Sequence, residues 1–290
     1  METKTSKKTA LQKELLAHLK KLLALHSVYV ISTVKERKSH KVHLIPQSKN
    51  SERFIIYTLL IITYRPISKR LGDFMDEVYN KMHQRCKIYP IMYALSNVKK
   101  RLNYGDDFLY KAIFHTPCIY RDNDCLSQFS NYPMPFHQNV YDHIQETWKS
   151  RMDRAGNLLS IIGNIIEPEK DTSPMLAVMH HSLEQICLGL LYLFWKFEPQ
   201  HYSLSYMLHL CSHFCRLPDT IFPKETYGLH RMRYILCNVH HIMRFKAQNE
   251  FSYRDTEKAH NRCEQFYHEA KKLGEAQLEY LKELHCDPTI

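Results

Sequence analysis

His180 and Glu184 stand four residues apart within an apolar segment that runs from Met175 to Phe197. If that segment is a helix, their side chains lie on one face, one turn apart, within reach of each other. His201 follows in the turn after it, and Arg244 sits near the end of a later apolar-periodic stretch. Imidazole and guanidinium suit a phosphate. The guanidinium presents a fixed fork of donors, and the imidazole gains or loses charge near neutral pH. His180, Glu184, His201 and Arg244 are therefore candidate nucleotide-binding residues. The competing reading is that these polar groups satisfy one another in a core or at a dimer seam.

The cysteines offer a second constellation. Cys211 and Cys215 have one-turn spacing, with His209 and His213 beside them. A zinc site needs a second ligand pair at a matching spacing, and none follows, so no metal is expected. The nine cysteines are expected to be free thiols, since a core-rich chain in a reducing compartment has no need of disulfides. Cys118, Cys187 and Cys237 sit in apolar surroundings and read as core. No cofactor is implied.

The charge is uneven. Residues 1–125 hold 23 Lys+Arg against 11 Asp+Glu, whereas residues 126–290 hold 17 against 19, so the excess behind the net +10 lies in the first half. A basic half points to a polyanionic partner, nucleic acid first. The alternatives are a solvated lysine-rich face or an acidic partner. The longest apolar stretch, Phe54 to Thr63, is of strand length, so no membrane span is expected. The lysine-rich start lacks an apolar core and a small-residue cleavage site, which predicts a cytoplasmic protein.

The elements that must position these groups follow from periodicity. Leucines at helical spacing predict a helix over 8–26, and β-branched residues predict a strand over 28–33. Residues 35–53 are polar and basic, with room for a short strand over Val42 to Ile45. Phe54 to Thr63 reads as a central strand. A helix over 67–85, a strand over 88–95, short helices within 97–111 and a short strand over 118–120 complete a small mixed α/β domain. Residues 126–138 carry Pro133 and Pro135 and read as a linker. Five helices are predicted beyond it: one through Ile144 to Ile162, then 175–197, 203–215, 225–245 and 255–284. The fold class is α+β, an α/β domain over 1–128 followed by an all-α bundle over 129–290.

Several segments carry a family resemblance. Met179-His180-His181-Ser182-Leu183-Glu184-Gln185 resembles the Leu-His-Gln-Ala-x-Glu-Gln segment of second helices in HEPN domains, helical bundles of prokaryotes that handle nucleotides and RNA. Trp195-Lys196-Phe197-Glu198-Pro199-Gln200-His201 resembles the Gly-Tyr-x-Pro-Lys-x-His turn of HEPN proteins fused to nucleotidyltransferase domains in Bacteroidetes. Ile221-Phe222-Pro223 and Met243-Arg244-Phe245-Lys246 resemble their Phe-Pro break and Ala-Arg-Tyr-Lys segment, in order. In the first half, Tyr57 to Thr63, Asn103 to Leu109 and Ile119 to Asp122 resemble segments of the fused transferase domain. The resemblance covers roughly 50–125 and 140–275. It implies a nucleotidyltransferase-like domain, a HEPN bundle and a homodimer through the HEPN helices.

The resemblance also implies chemistry that can be checked against the residues. Transferases of this fold hold a triphosphate on a Gly-Ser turn after the first strand and bind metals through carboxylates. Here the first glycine is Gly72 and the first aspartate is Asp73, and Thr58 stands where the resembling strand carries an Asp. The transferase domain is therefore expected to be inactive. Active HEPN ribonucleases are similar in an Arg-x4–6-His motif, in which His moves a proton and Arg stabilises the phosphorane. Arg233/His240 and Arg254/His260 have that spacing in the region where the motif belongs, although a chain with 19 histidines produces such spacings by chance. The resemblance thus implies a non-catalytic nucleotide- or RNA-binding, regulatory protein. The alternative it leaves is a metal-independent, toxin-like ribonuclease using one of those Arg/His pairs.

Overall fold

The structure is a computed structural model and describes residues 10–41, 49–131, 137–163, 171–246 and 251–286, with side chains left undescribed at 37–41, 49–53 and 163. The chain divides into two compact units, Met1–Met134 and Pro135–Ile290.

The first unit is a four-stranded mixed sheet flanked by helices. Its elements are α1 (Ala10–Leu22), β1 (Leu25–Lys41), β2 (Lys49–Thr63), α2 (Leu71–Lys81), β3 (Cys86–Ala94), α3 (Leu95–Asn103), α4 (Asp107–Phe114) and β4 (Cys118–Arg121). The sheet order is β3-β2-β1-β4. β1 pairs antiparallel with β2 and β4, while β2 and β3 run parallel. A parallel neighbour needs a crossover, and α2 supplies it. Leu59, Leu60, Ile61 and Ile62 are all fully buried. Successive strand side chains point to opposite faces, so both faces of β2 are covered, which is why its sequence is a continuous apolar run. Leu59 and Ile61 pack with Leu15 and Leu19 of α1 and Phe74 and Val78 of α2. α3 and α4 also pack on the strands. Gly105 turns the chain between α3 and α4 at φ 76°, a left-handed conformation that costs glycine little.

The strands outrun the sequence pattern. The polar stretch that reads as loop is strand as far as Lys41 and again from Lys49, because the β1–β2 ladder continues through Lys35↔Ile55 to Lys41↔Lys49. A backbone ladder needs no apolar side chains, so periodicity misses it. The short strand expected over Val42 to Ile45 falls outside the described residues. α1 ends at Leu22 and α2 is confined to Leu71–Lys81, both shorter than their periodic patterns. Cys118 is exposed rather than core.

The second unit is all helical: α5 (Gln138–Gly163), α6 (Ser173–Trp195), α7 (Leu204–Cys211), α8 (Leu217–Ile221), α9 (Tyr227–Phe245) and α10 (Tyr253–Cys286). Among the described residues six helices replace the five expected, since α8 is a five-residue turn of helix too short to show a period. Asp171 opens α6 by accepting from the Ser173 amide at 2.9 Å, and Pro174 occupies the first turn, where a missing N–H costs nothing. Lys196 closes α6 in the left-handed region at φ 51°. α6 is long and apolar enough to cross a membrane by length and composition, although no such run stands out in the sequence. Of its apolar window 67% is buried within the protein, as in a core helix.

α5, α6 and α10 meet around Trp148. Its indole on α5 is 4% exposed and lies over two backbone notches, Gly189 on α6 and Gly274 on α10. A Cβ at Gly274 would fall 2.0 Å from the indole Cζ2, and one at Gly189 would fall 3.1 Å from Cε3. These glycines are sites of close helix approach.

Candidate functional site

α6 carries His180, His181 and Glu184 through successive turns, and α9 brings His240 against them. The His180 Nδ1 donates to the Leu236 carbonyl at 2.6 Å, and its Nε2 meets Glu184 Oε1 at 3.1 Å. Both partners are acceptors, so each ring nitrogen of His180 faces an oxygen. His181 Nδ1 donates to the other carboxylate oxygen of Glu184 at 2.8 Å. One carboxylate thus holds two neighbouring imidazoles. The His240 ring stands edge-on to His180 at 4.5 Å and tilted to His181 at 4.6 Å. The side chains grade from buried to open: His180 is 8% exposed, Glu184 15% and His181 54%.

The electrostatics follow from this packing. Burial pushes the Glu184 carboxyl up, but the hydrogen bonds from His180 and His181 outweigh it and hold the group below its ordinary value. His240 is held below the ordinary imidazole value, first by burial and then by His180, His181 and Arg244, with Glu184 opposing. His240 is therefore a neutral imidazole at physiological pH, set beside a carboxylate that is ionised. Arg244 lies four residues, one helical turn, beyond His240 on α9 and is exposed.

The structure brings together His180, Glu184 and, within one turn of His240, Arg244. It does not bring His201 to them. The fifteen residues from His180 to the end of α6 span about 22 Å of helix rise, and His201 lies beyond that end. There its ring packs edge-on against Tyr206 at 5.3 Å, and burial lowers its pKa. His181 was missed by sequence reasoning. Its signal was legible, since positions i and i+1 both reach a carboxylate at i+4 and i+3.

The two Arg/His pairs are not assembled as pairs. Arg233 is 8% exposed, and its Nη1 donates to the Phe222 carbonyl at 3.3 Å. Its partner in spacing, His240, belongs to the α6–α9 cluster two helical turns away. Arg254 is exposed on α10. His260 lies six residues on, about 240° around the helix, and faces Glu264 at 3.7 Å. Cys211 and Cys215 use their thiols on the Cys187 and Cys211 carbonyls, and His209 packs edge-on against His213. Among the described residues no group of three or more His, Cys, Asp or Glu is placed to hold a metal ion.

The first unit contains a polar knot that sequence reasoning did not find, because its members are scattered from residue 26 to residue 125. His26, fully buried at the start of β1, meets Asn123 Oδ1 at 3.0 Å and Cys125 Sγ at 3.4 Å through Nε2. Tyr64 donates to Asp122 Oδ2 at 2.5 Å and accepts from Asn123 Nδ2 at 2.7 Å. The bond to Asp122 is the main cause pushing the Tyr64 phenol up to about 12. The knot ties the ends of β1, β2 and β4 together. No protein-family model matches the chain, and no curated protein shows significant similarity to it.

Proposed function

We propose that this protein binds RNA or a nucleotide without turning it over, with a transferase-like domain that has lost its catalytic residues and a helical domain of HEPN type. The observation that carries the reading is the α6–α9 cluster. Two imidazoles share one carboxylate and a third, His240, packs against both rings, the outermost two open to solvent, and Arg244 stands one turn further along α9. Such a patch gains positive charge from His240 when a phosphate approaches, because an anion favours the protonated ring. The basic excess of the first 125 residues adds a second, sequence-independent attraction for a phosphate backbone. The ribonuclease alternative is weaker, because the Arg233 side chain is buried on a carbonyl, away from His240.

Fluorescence anisotropy with a labelled single-stranded RNA of about 20 nucleotides tests the reading. Expected are binding that weakens with salt, by roughly 0.7 in log–log slope for each phosphate contacted, and full-length RNA recovered after incubation. The double substitution His240→Ala with Arg244→Ala weakens binding about tenfold or more, as loss of charge-assisted hydrogen bonds requires. RNA cleaved by the pure protein, or no binding at low salt, overturns the proposal.

We also propose that the helical unit pairs with a second copy through α9. That helix exposes Tyr227, Tyr234 and Phe245 along one stripe, at 82%, 50% and 67%. A helix that leaves this much large apolar surface open is suited to a partner face. Light scattering should give the mass of two chains, falling to one in Phe245→Glu. A monomeric wild type at micromolar concentration sinks this part.

A further inference from the structure

A cleft of about 500 Å³ opens at the other end of α9, between its first turns, α8 and α10. It lies away from the histidine cluster: Arg231 at the cleft and His240 are nine residues apart on α9, about 14 Å of helix rise. Three cations line it, Arg231, Lys258 and Arg262, against one carboxylate, Asp255. Arg231 Nη2 donates to Asp255 Oδ2 at 3.2 Å, and Arg262 Nη1 donates to the Ile221 carbonyl at 2.6 Å. Both guanidiniums are thereby fixed in place, so little side-chain freedom is lost when an anion arrives. Lys258 is exposed and has no carboxylate partner among the described residues.

The cleft is not only basic. Lys258, Asn261, Arg262 and Gln265 follow the i, i+3, i+4, i+7 spacing that makes one stripe along α10, so two amides interleave with two cations on a single wall. Ile221, Phe222, Pro223, Leu229 and Met232 make the apolar part of the lining. Gly228, in the first turn of α9, leaves open space where a Cβ would stand. An anion-binding end, an apolar side and paired donor-acceptor amides are the demands of a phosphate joined to a flat heterocycle. The volume suits a small molecule rather than a polymer strand.

We infer that this cleft binds a mononucleotide, with the phosphate on Arg231, Lys258 and Arg262 and the base edge on Asn261 and Gln265. The site is separate from the RNA-binding cluster and does not depend on it. Calorimetric titration and thermal denaturation of the full chain with the four ribonucleoside 5′-monophosphates, the four nucleosides and inorganic phosphate provide the test. At least one monophosphate should raise the Tm by about 3 °C at saturation. Its Kd should rise about tenfold in Lys258→Gln and in Asn261→Ala, two exposed positions where loss of folding is not expected. The matching nucleoside and inorganic phosphate should each bind at least tenfold more weakly. No binding by any monophosphate overturns the inference, as does equal affinity for inorganic phosphate, which would leave a simple anion site. If binding survives both substitutions but is lost in Arg244→Ala, the ligand sits at the histidine cluster. That result removes the cleft proposal and leaves the RNA-binding proposal standing.

Discussion

Gly274→Ala is expected to destabilise the helical unit by about 3 kcal/mol, the upper end of the overpacking range, and to lower its Tm by roughly 6–12 °C. The sign is opposite to what helix chemistry alone dictates. Gly274 lies inside α10, a 34-residue helix, and glycine in a helix interior costs about 1 kcal/mol relative to alanine. Helix propensity therefore predicts a gain. Packing predicts the loss, because the added methyl would stand 2.0 Å from Cζ2, 2.5 Å from Cε2 and 2.7 Å from Cη2 of Trp148. The same indole also lies close to Gly189 on α6, where a Cβ would be tight at 3.1 Å, so the ring is hemmed in by two helices. Gly228→Ala is the control. It sits in the first turn of α9 with nothing within 4 Å, so stability should be unchanged or slightly raised. Trp148→Leu is costly by itself, yet it should reduce the penalty of Gly274→Ala by about 1–3 kcal/mol in a double-mutant cycle. Thermal denaturation of the four proteins decides. A Gly274→Ala protein at or above the wild-type Tm would mean that the three helices do not meet at this notch.

That glycine notch shows where sequence reasoning stops. A glycine inside a helical pattern reads as a weak point, and only the neighbouring helix reveals it as a place of contact. The same boundary runs through the sheet. The apolar run Phe54 to Thr63 was legible as a central strand because burial on both faces demands continuous hydrophobicity. Lys35 to Lys41 was not, because its place in the ladder is a backbone matter and its side chains carry no period. In the helices, apolar spacing located α5, α6, α9 and α10 closely, whereas α8 is too short to have a spacing at all.

The site divides in the same way. His180 and Glu184 were legible because i and i+4 on a helix are neighbours whatever the tertiary fold. His240 was singled out for a spacing to Arg233, yet the structure places it against two histidines more than fifty residues earlier, a contact that no local pattern encodes. His201 was grouped with His180 because it lies in the turn that follows the same apolar segment. Helix length separates them, since α6 carries one end of that stretch far from the other.

Glu184→Gln is expected to lower the Tm by roughly 2–12 °C, for a cost of about 1–3 kcal/mol at 2–4 °C per kcal/mol. The carboxylate accepts from two imidazoles at once, through separate oxygens at 3.1 and 2.8 Å. An amide has one accepting oxygen and turns an N–H₂ towards the second ring, where a bond forms only if the ring nitrogen presents its lone pair, so a charge-assisted bond is replaced by a neutral one in a largely buried place. The substitution also changes the pH dependence, and the sign can be followed group by group. Glu184 is held below its ordinary value in the folded protein. Its contribution is complete above the unfolded carboxyl value, near 4.3, and is lost as pH falls through the lower folded value. His201, His213 and His240 are also held low, by burial first. The folded protein resists protonating them, so their effect on stability begins below about 6.5, where the unfolded chain takes up protons more readily. Both groups act in one direction, and wild-type Tm should fall continuously on acidification from pH 7.5 to 4. In Glu184→Gln the decline between pH 6.5 and 5 should steepen, because Glu184 is the one group that raises His240 towards its ordinary value. The carboxylate part of the decline below about pH 4.5 should disappear. A Glu184→Gln protein within about 1 °C of wild type at pH 7.5, with a parallel pH profile, would show that the two imidazoles do not depend on this carboxylate.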